Sequence, residues 1–467
     1  MAGSLIGYLH TLLQALCVRR ARGFHGPLLT CSTGCARAVH NRSPKSDCSE
    51  HAPMTLDLEF VRRQFPAFAE PSLAGKAFFE NAGGSYACGA VVSRLGEYYR
   101  RLKVQPYYPF AASTEAGEWM DAARARLAEY LGVTPREVQF GPSTSQNTYV
   151  LARAFRSFLK PGDEIIVTDQ DHEANSGCWR RLAADGLVVR EWQVDPDSGR
   201  LNESQLETLL SERTRVLAFP HASNVVADIN PVARITARAR AAGIITVVDG
   251  VAWAPHGLPD VPGLGADVYL FSLYKTYGPH QGVMVVRDEL LQRAGNEGHY
   301  FNAAEPTKRV VPAGPDHAQV AAARGIAEYF DALDAHHLPP GTATRPEPRA
   351  RAERVRRALR GAEIPLLSTL LEYLAQRRDI RLLGPAVAAE RAATVAFVPQ
   401  SVEPIEVVTR LTARGFMAGY GNFYAVRLLN ALHVDPERGA VRVSLVHYNS
   451  AAEVAALIDA LDGILSR

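Results

Sequence analysis

The chain predicts an α/β fold with a mostly parallel sheet, on two observations. Seven short Val- and Ile-rich runs alternate with amphipathic stretches, and five polar residues suited to chemistry fall at or just after the ends of such runs. The runs are residues 138–140, 164–168, 188–192, 216–219, 244–248, 268–272 and 282–286, each short enough for a buried strand. Between them lie helical patterns such as residues 113–131, where Met120, Ala123, Leu127 and Leu131 share one face. The five polar residues are Ser143, His172, Asn224, Asp249 and Lys275. In open α/β sheets ligands bind beyond the carboxyl ends of the strands, so these positions mark one candidate site.

The pattern divides the chain into segments. Residues 1–53 hold an apolar run from Leu5 to Leu16, then Arg19, Arg20, Arg22, Arg37 and Arg42, with no acidic residue before Asp47. This reads as a disordered or targeting extension of transit-peptide type, or as sequence upstream of a working start at Met54. Residues 54–77 form an N-terminal segment expected to pack on a small domain, and residues 78–334 form the large domain. Residues 335–350, with His336-His337 and Pro339-Pro340-Gly341, read as a linker whose histidines are solvated. Residues 351–467 form a smaller α+β domain, with a helix over 364–376, a strand over 394–398 and a closing helix over 451–464.

Composition bounds the function. The 467 residues exceed one small core. The 51 basic and 49 acidic side chains leave a net charge of +2, which gives no electrostatic reason to expect nucleic acid. No apolar run approaches a membrane span, so a soluble body is expected. Four of the six cysteines fall before residue 54, leaving Cys88 and Cys178. That argues against a disulfide framework and for a reducing compartment, cytoplasmic or, if the extension is a transit peptide, mitochondrial. Cys31 and Cys35 lack a second ligand pair at zinc-site spacing, so no metal is expected.

Lys275, after an apolar strand and downstream of Asp249, reads as a pyridoxal 5'-phosphate site. Its amine can hold the cofactor as a Schiff base while the Asp249 carboxylate keeps the pyridine nitrogen protonated. Taken singly, a solvated loop lysine and a helix-capping aspartate would explain both.

Further motifs join them: Asp171-His172-Glu173-Ala174-Asn175, His221-Ala222-Ser223-Asn224, Val248-Asp249-Gly250 with Pro255-His256, Phe271-Ser272 through Lys275 to Tyr277-Gly278-Pro279, and Val441-Arg442-Val443-Ser444-Leu445 with Tyr448-Asn449. On these, residues 54 to the C-terminus resemble the class V aminotransferase superfamily, in its cysteine desulfurase-like branch. The resemblance implies fold type I of the pyridoxal phosphate-dependent transferases and a homodimer. It implies that His172 stacks on the cofactor ring and serves in proton transfer, where its near-neutral titration suits it; an N-cap or core histidine is the alternative. It implies that Asn224 bonds the cofactor or the substrate carboxylate, and that Thr144, Ser145 and Ser272 hold the phosphate at a helix start. Arg442 would clamp the substrate α-carboxylate.

Departures from the pattern bear on the reaction. Cysteine desulfurases carry a nucleophilic cysteine on a loop where this chain reads Gly421-Asn422-Phe423-Tyr424-Ala425, so Tyr424 stands in the thiol's place. It is a candidate general acid or base, or it lines the pocket. Ala252 replaces a glutamine that bonds the cofactor's phenolic oxygen, a loss that Asn224 or Asn175 could offset. Tyr274 replaces a histidine before the lysine, and Pro315 stands where a threonine reaches the neighbouring subunit's phosphate. The expectation is an enzyme acting on a small amino acid through an external aldimine, as transferase or lyase. Cysteine desulfurase or selenocysteine lyase, amino-acid epimerase and non-catalytic pyridoxal phosphate-binding regulator are the alternatives.

Overall fold

A computed structural model describes residues 56–338 and 347–466. The segment 1–53, Met54 and residues 339–346 of the expected linker lie outside the described residues. Thirteen strands are assigned there: β1 (Ala77–Phe78), β2 (Val138–Gly141), β3 (Glu164–Thr168), β4 (Val188–Trp192), β5 (Thr214–Pro220), β6 (Ile245–Asp249), β7 (Val268–Ser272), β8 (Gly282–Val286), β9 (Ile380–Leu383), β10 (Thr394–Pro399), β11 (Phe416–Met417), β12 (Gly419–Gly421) and β13 (Ala440–Ser444). Four helices matter to the site: α1 (Leu58–Arg63), α2 (Gly89–Glu97), α3 (Ala111–Leu131) and α4 (Thr144–Phe155).

The main sheet runs β2-β8-β7-β6-β5-β3-β4. All its pairings are parallel except those of β8, which is antiparallel to both β7 and β2. The expected mostly parallel sheet is therefore present. Strands β2, β3, β6, β7 and β8 are buried almost throughout, because helices cover both faces and leave no face for water. One core joins the sheet to α2, α3 and the helix Arg324–His337, and a second packs the opposite face against α4.

The C-terminal sheet is antiparallel, in the order β12-β13-β10-β9, with a core shared by the helices Pro348–Ala375, Pro404–Thr412 and Ala451–Leu465. Strands β1 and β11 form a separate parallel pair. Chain ends are sewn across these elements: Ser444 N–H donates to the Phe79 carbonyl at 2.7 Å, and Ala82 N–H donates to Ser444 Oγ at 2.7 Å. Arg62 Nε donates to the Tyr448 carbonyl at 3.0 Å. Phe65 packs edge-on against Tyr277, Tyr329 and Tyr448.

Two expectations are corrected. The helix expected over 364–376 begins earlier, at Pro348, because Pro suits the first turn and the Glu347 side chain caps it from the preceding position. His336 and His337 are not in a solvated loop but end the helix Arg324–His337. His336 stacks on Phe60 with centroids 3.8 Å apart and bonds the Asp57 carboxylate at 2.9 Å, while His337 Nε2 accepts from Asp57 N–H at 2.8 Å.

Candidate active site

The strand termini converge as parallel topology requires. A small cleft of about 50 Å³ is lined by Ser143, Thr144 and Ser145 beyond β2, His172 beyond β3, Asn224 beyond β5, Asp249 ending β6, and Ser272 and Lys275 at the end of β7. Gly141, Gly282 and Ser272 sit side by side in register on β2, β8 and β7. A Cβ on Gly282 would stand 2.4 Å from the Ser143 carbonyl carbon and 2.5 Å from Thr144 N, so only glycine lets α4 begin against the strand. There Thr144 Oγ1 and Ser272 Oγ are 2.8 Å apart, and Ser143 Oγ caps the helix by accepting from Gln146 N–H at 3.2 Å. Hydroxyls and unpaired first-turn amides together favour an anion such as a phosphate. Ser145 is exposed at the rim.

Lys275 ends a 3₁₀ turn, Leu273–Lys275. Burial, then the nearby Arg442 charge, lowers its amine to about 8, against a smaller opposing pull from Asp249 and Glu80. Asp249 is 5 % exposed and its carboxyl is raised by burial. Oδ1 accepts from Val251 N–H at 2.8 Å, and no arginine pairs with it among the described residues. Behind it, His221 donates its backbone N–H to the Asp249 carbonyl at 2.7 Å, and His221 Nδ1 lies 2.8 Å from the Tyr269 hydroxyl. Burial pushes that imidazole down to about 3.

His172 departs from the titration expected of it. Burial first, then Lys275 and Arg442, lower its imidazole to about 4, so it is neutral near pH 7. It is also the cap of the turn Glu173–Asn175, since Nδ1 accepts from Ala174 N–H at 3.1 Å. That bond assigns the ring proton to Nε2. The capping role and the cleft-facing position therefore coexist.

Asn224 donates from Nδ2 to the Phe423 carbonyl at 2.8 Å, while its buried Oδ1 has no hydrogen-bond partner. Asn175 is fully buried and spends Nδ2 on Asp171 at 2.9 Å, so it does not offset the missing glutamine at Ala252. Asp171 is itself held by Thr168, and burial pushes its carboxyl well up.

Two expected residues stand outside the cleft wall, on the C-terminal side. Arg442, on β13 and 4 % exposed, donates from Nη1 to the Asn224 carbonyl at 3.2 Å and from Nη2 to Glu80 Oε1 at 2.5 Å. Its guanidinium carbon lies 4.0 Å from the Phe423 ring centroid. Tyr424 is 72 % exposed, with its ring 5.3 Å from His172. Phe423 and Tyr424 both adopt left-handed backbone, at φ 52° and 56°, a costly conformation for aromatic residues. Cross-chain bonds compensate: Glu173 N–H donates to the Tyr424 carbonyl at 2.8 Å, beside the Asn224 bond to Phe423.

Glu80 was missed by sequence reasoning. The signal available was Gly83-Gly84 shortly after it, since a Cβ on Gly83 would sit 1.9 Å from Glu80 Oε2. Cys88 and Cys178 are free and buried, their thiols raised by burial to about 12.

The family described as aminotransferase class-V matches residues 77–323 and 357–457. An aminotransferase-like protein, FGM3, of Gibberella zeae is 33% identical over 426 residues, covering 88% of this chain and 99% of that protein. A cysteine desulfurase of Serratia proteamaculans is 30% identical over 429 residues, covering 88% and 99%. Among solved structures, the cysteine desulfurase CsdA of Escherichia coli is similar with a TM-score of 0.73 at 25% identity, covering 88% of this chain and 99% of that one. A cysteine desulfurase of Thermococcus onnurineus shares the fold with a TM-score of 0.76 at 23% identity, with the same coverages.

Proposed function

Since this chain belongs to the class-V aminotransferase family, whose enzymes depend on pyridoxal phosphate and act on amino acids, we propose that Lys275 and Asp249 hold that cofactor and that Arg442 receives the carboxylate of a small amino acid. One observation carries the reading: a half-buried lysine whose amine is lowered to about 8 shares a cleft with a buried aspartate that no arginine pairs and with a hydroxyl-lined helix start.

The residues fit the group. Asp249 offers a carboxylate that no described cation satisfies, as a pyridine N–H would require. Thr144, Ser145 and Ser272 would offer hydroxyls and amides to the phosphate, and Gly282 lets the start of α4, which carries two of them, pack against the strand. His172, neutral with its proton on Nε2, presents a ring face and a donor. When bound, pyridoxal phosphate supplies an electron sink for negative charge at the α-carbon of an amino acid.

The chain's own work is proton handling and orientation. Lys275, with an amine near 8, is suited to remove and return the α-proton at neutral pH. Asp249 keeps a proton at the pyridine nitrogen. The planar guanidinium of Arg442 orients a carboxylate, and its buried Nε has no hydrogen-bond partner among the described residues. Persulfide chemistry is not part of this reading. Tyr424 holds the loop position of the family's thiol, and the two described cysteines are buried with thiols near 12, protonated at neutral pH.

The assembly we infer is a homodimer, supported by exposed aromatic side chains at Tyr107, Tyr108, Phe110, Tyr300 and Phe301. Light scattering of the purified protein tests it. No helix among the described residues is long and apolar enough to cross a membrane.

The functional reading is tested by absorption spectra of wild type and Lys275→Ala reconstituted with pyridoxal phosphate and titrated with an amino-acid panel. A Schiff-base band in the wild type that responds to an amino acid, and is lost together with turnover in the variant, is the expected result. Failure of the wild type to bind the cofactor would overturn the assignment.

A further inference from the structure

The Glu80 side chain occupies a built position. It follows β1, where Glu80 bridges in parallel to Ser444, and its carboxylate lies between two glycines. A Cβ on Gly83 would meet Oε2 at 1.9 Å, and one on Gly419 would meet Oε1 at 3.0 Å. From this seat Oε1 accepts from Arg442 Nη2 at 2.5 Å. Of the guanidinium's donors, Nη1 is spent on the Asn224 carbonyl at 3.2 Å and Nε has no partner among the described residues. An anion of the chain itself already sits on the group assigned to the substrate's carboxylate.

We propose that Glu80 is a tethered competitor for the carboxylate clamp, one that sets how tightly substrate carboxylates bind; this rests on the reading of Arg442 given above. The competition has an electrostatic basis. An unpaired guanidinium at 4 % exposure is unfavourable, and Glu80 relieves that while the site is free of substrate. An arriving carboxylate must then displace Glu80 or share the guanidinium with it, and two anions on one partly buried cation repel strongly. Affinity for carboxylates is thereby held down, leaving the substrate free to exchange.

The experiment is calorimetric titration of cofactor-loaded wild type, E80Q and the double variant E80Q/R442Q with propionate, a carboxylate that cannot react. E80Q removes the competing charge and keeps the shape, so it should bind propionate about ten-fold more tightly or better, by the scale of a close like-charge contact. The gain should vanish in E80Q/R442Q. With a responding amino acid, KM should fall in E80Q by a similar factor while kcat changes less. Propionate binding in E80Q that is equal to or weaker than in wild type would overturn the proposal and leave Glu80 a prop for Arg442. A gain that survives in the double variant would overturn it too. If E80Q does not fold, Glu80→Asp withdraws the carboxylate by one methylene and is read in the same way. Should no amino acid change the wild-type spectrum, the functional reading falls, while propionate titration still decides the role of Glu80.

Discussion

On the reading proposed above, the site's chemistry turns on a free amine at neutral pH, and burial of Lys275 favours one. An ordinary lysine titrates near 10.4, which leaves about four amines in ten thousand unprotonated at pH 7. With Lys275 lowered to about 8, roughly one in ten is free, a gain of roughly two-hundred-fold. Burial is the largest cause and Arg442 the next, so the perturbations are pH and Arg442→Met. In cofactor-stripped protein, trace acetylation from pH 6 to 11, read on the Lys275 peptide by mass spectrometry, should rise with a midpoint near 8. The exposed Lys76 serves as the internal reference. Removing the Arg442 charge leaves the protonated amine less opposed, so the midpoint should move upward, toward the ordinary value. A wild-type midpoint at or above 10 would refute the claim that the fold activates this amine. A midpoint unmoved or lowered in Arg442→Met would refute the electrostatic part alone.

Other sites give sharper structural tests. Gly282→Ala places a methyl within 2.5 Å of backbone at the start of α4, so denaturant melts should show a loss of about 1–3 kcal/mol, with weaker uptake of pyridoxal phosphate. Arg391 is fully buried and donates to the carbonyls of Thr394, Pro385 and Leu383. Arg391→Leu orphans all three, at roughly 1–3 kcal/mol each, and should lower the denaturation midpoint more than any surface change. Tyr424→Phe deletes an exposed hydroxyl and should leave stability within about 0.5 kcal/mol in the same melts. Turnover should persist in that variant, and a fall of roughly a hundred-fold or more would instead assign the hydroxyl a proton-transfer role.

The central sheet was legible because burial on both faces demands short, largely apolar runs, and β3, β7 and β8 have the bounds that those runs mark, as does the more exposed edge strand β4. The convergence of Ser143, His172, Asn224, Asp249 and Lys275 was legible for a related reason: parallel strands bring their carboxyl ends to one edge. What sequence hid was pairing at long range. Glu80 meets Arg442 only because β13 lies beside the segment after β1, and no local pattern announces that meeting. His172 reads as a near-neutral base in isolation, and only the surrounding burial and two nearby cations take it to about 4. His336 and His337 were mistaken for loop residues because Asp57 and Phe60, which hold them, are far away in the chain.

The stitches between Ser444 and residues 79–82 impose an order in time. Synthesis proceeds from the N-terminus and folding can begin before the chain is finished. Strands β2 to β8, with Asp249 and Lys275, emerge while Arg442 has yet to be made. The segment after β1, with Glu80, must meanwhile wait for a partner strand more than three hundred residues away, a contact that is slow to form by its separation alone. The half of the site proposed for the cofactor can therefore exist on the ribosome before the half proposed for the substrate's carboxylate.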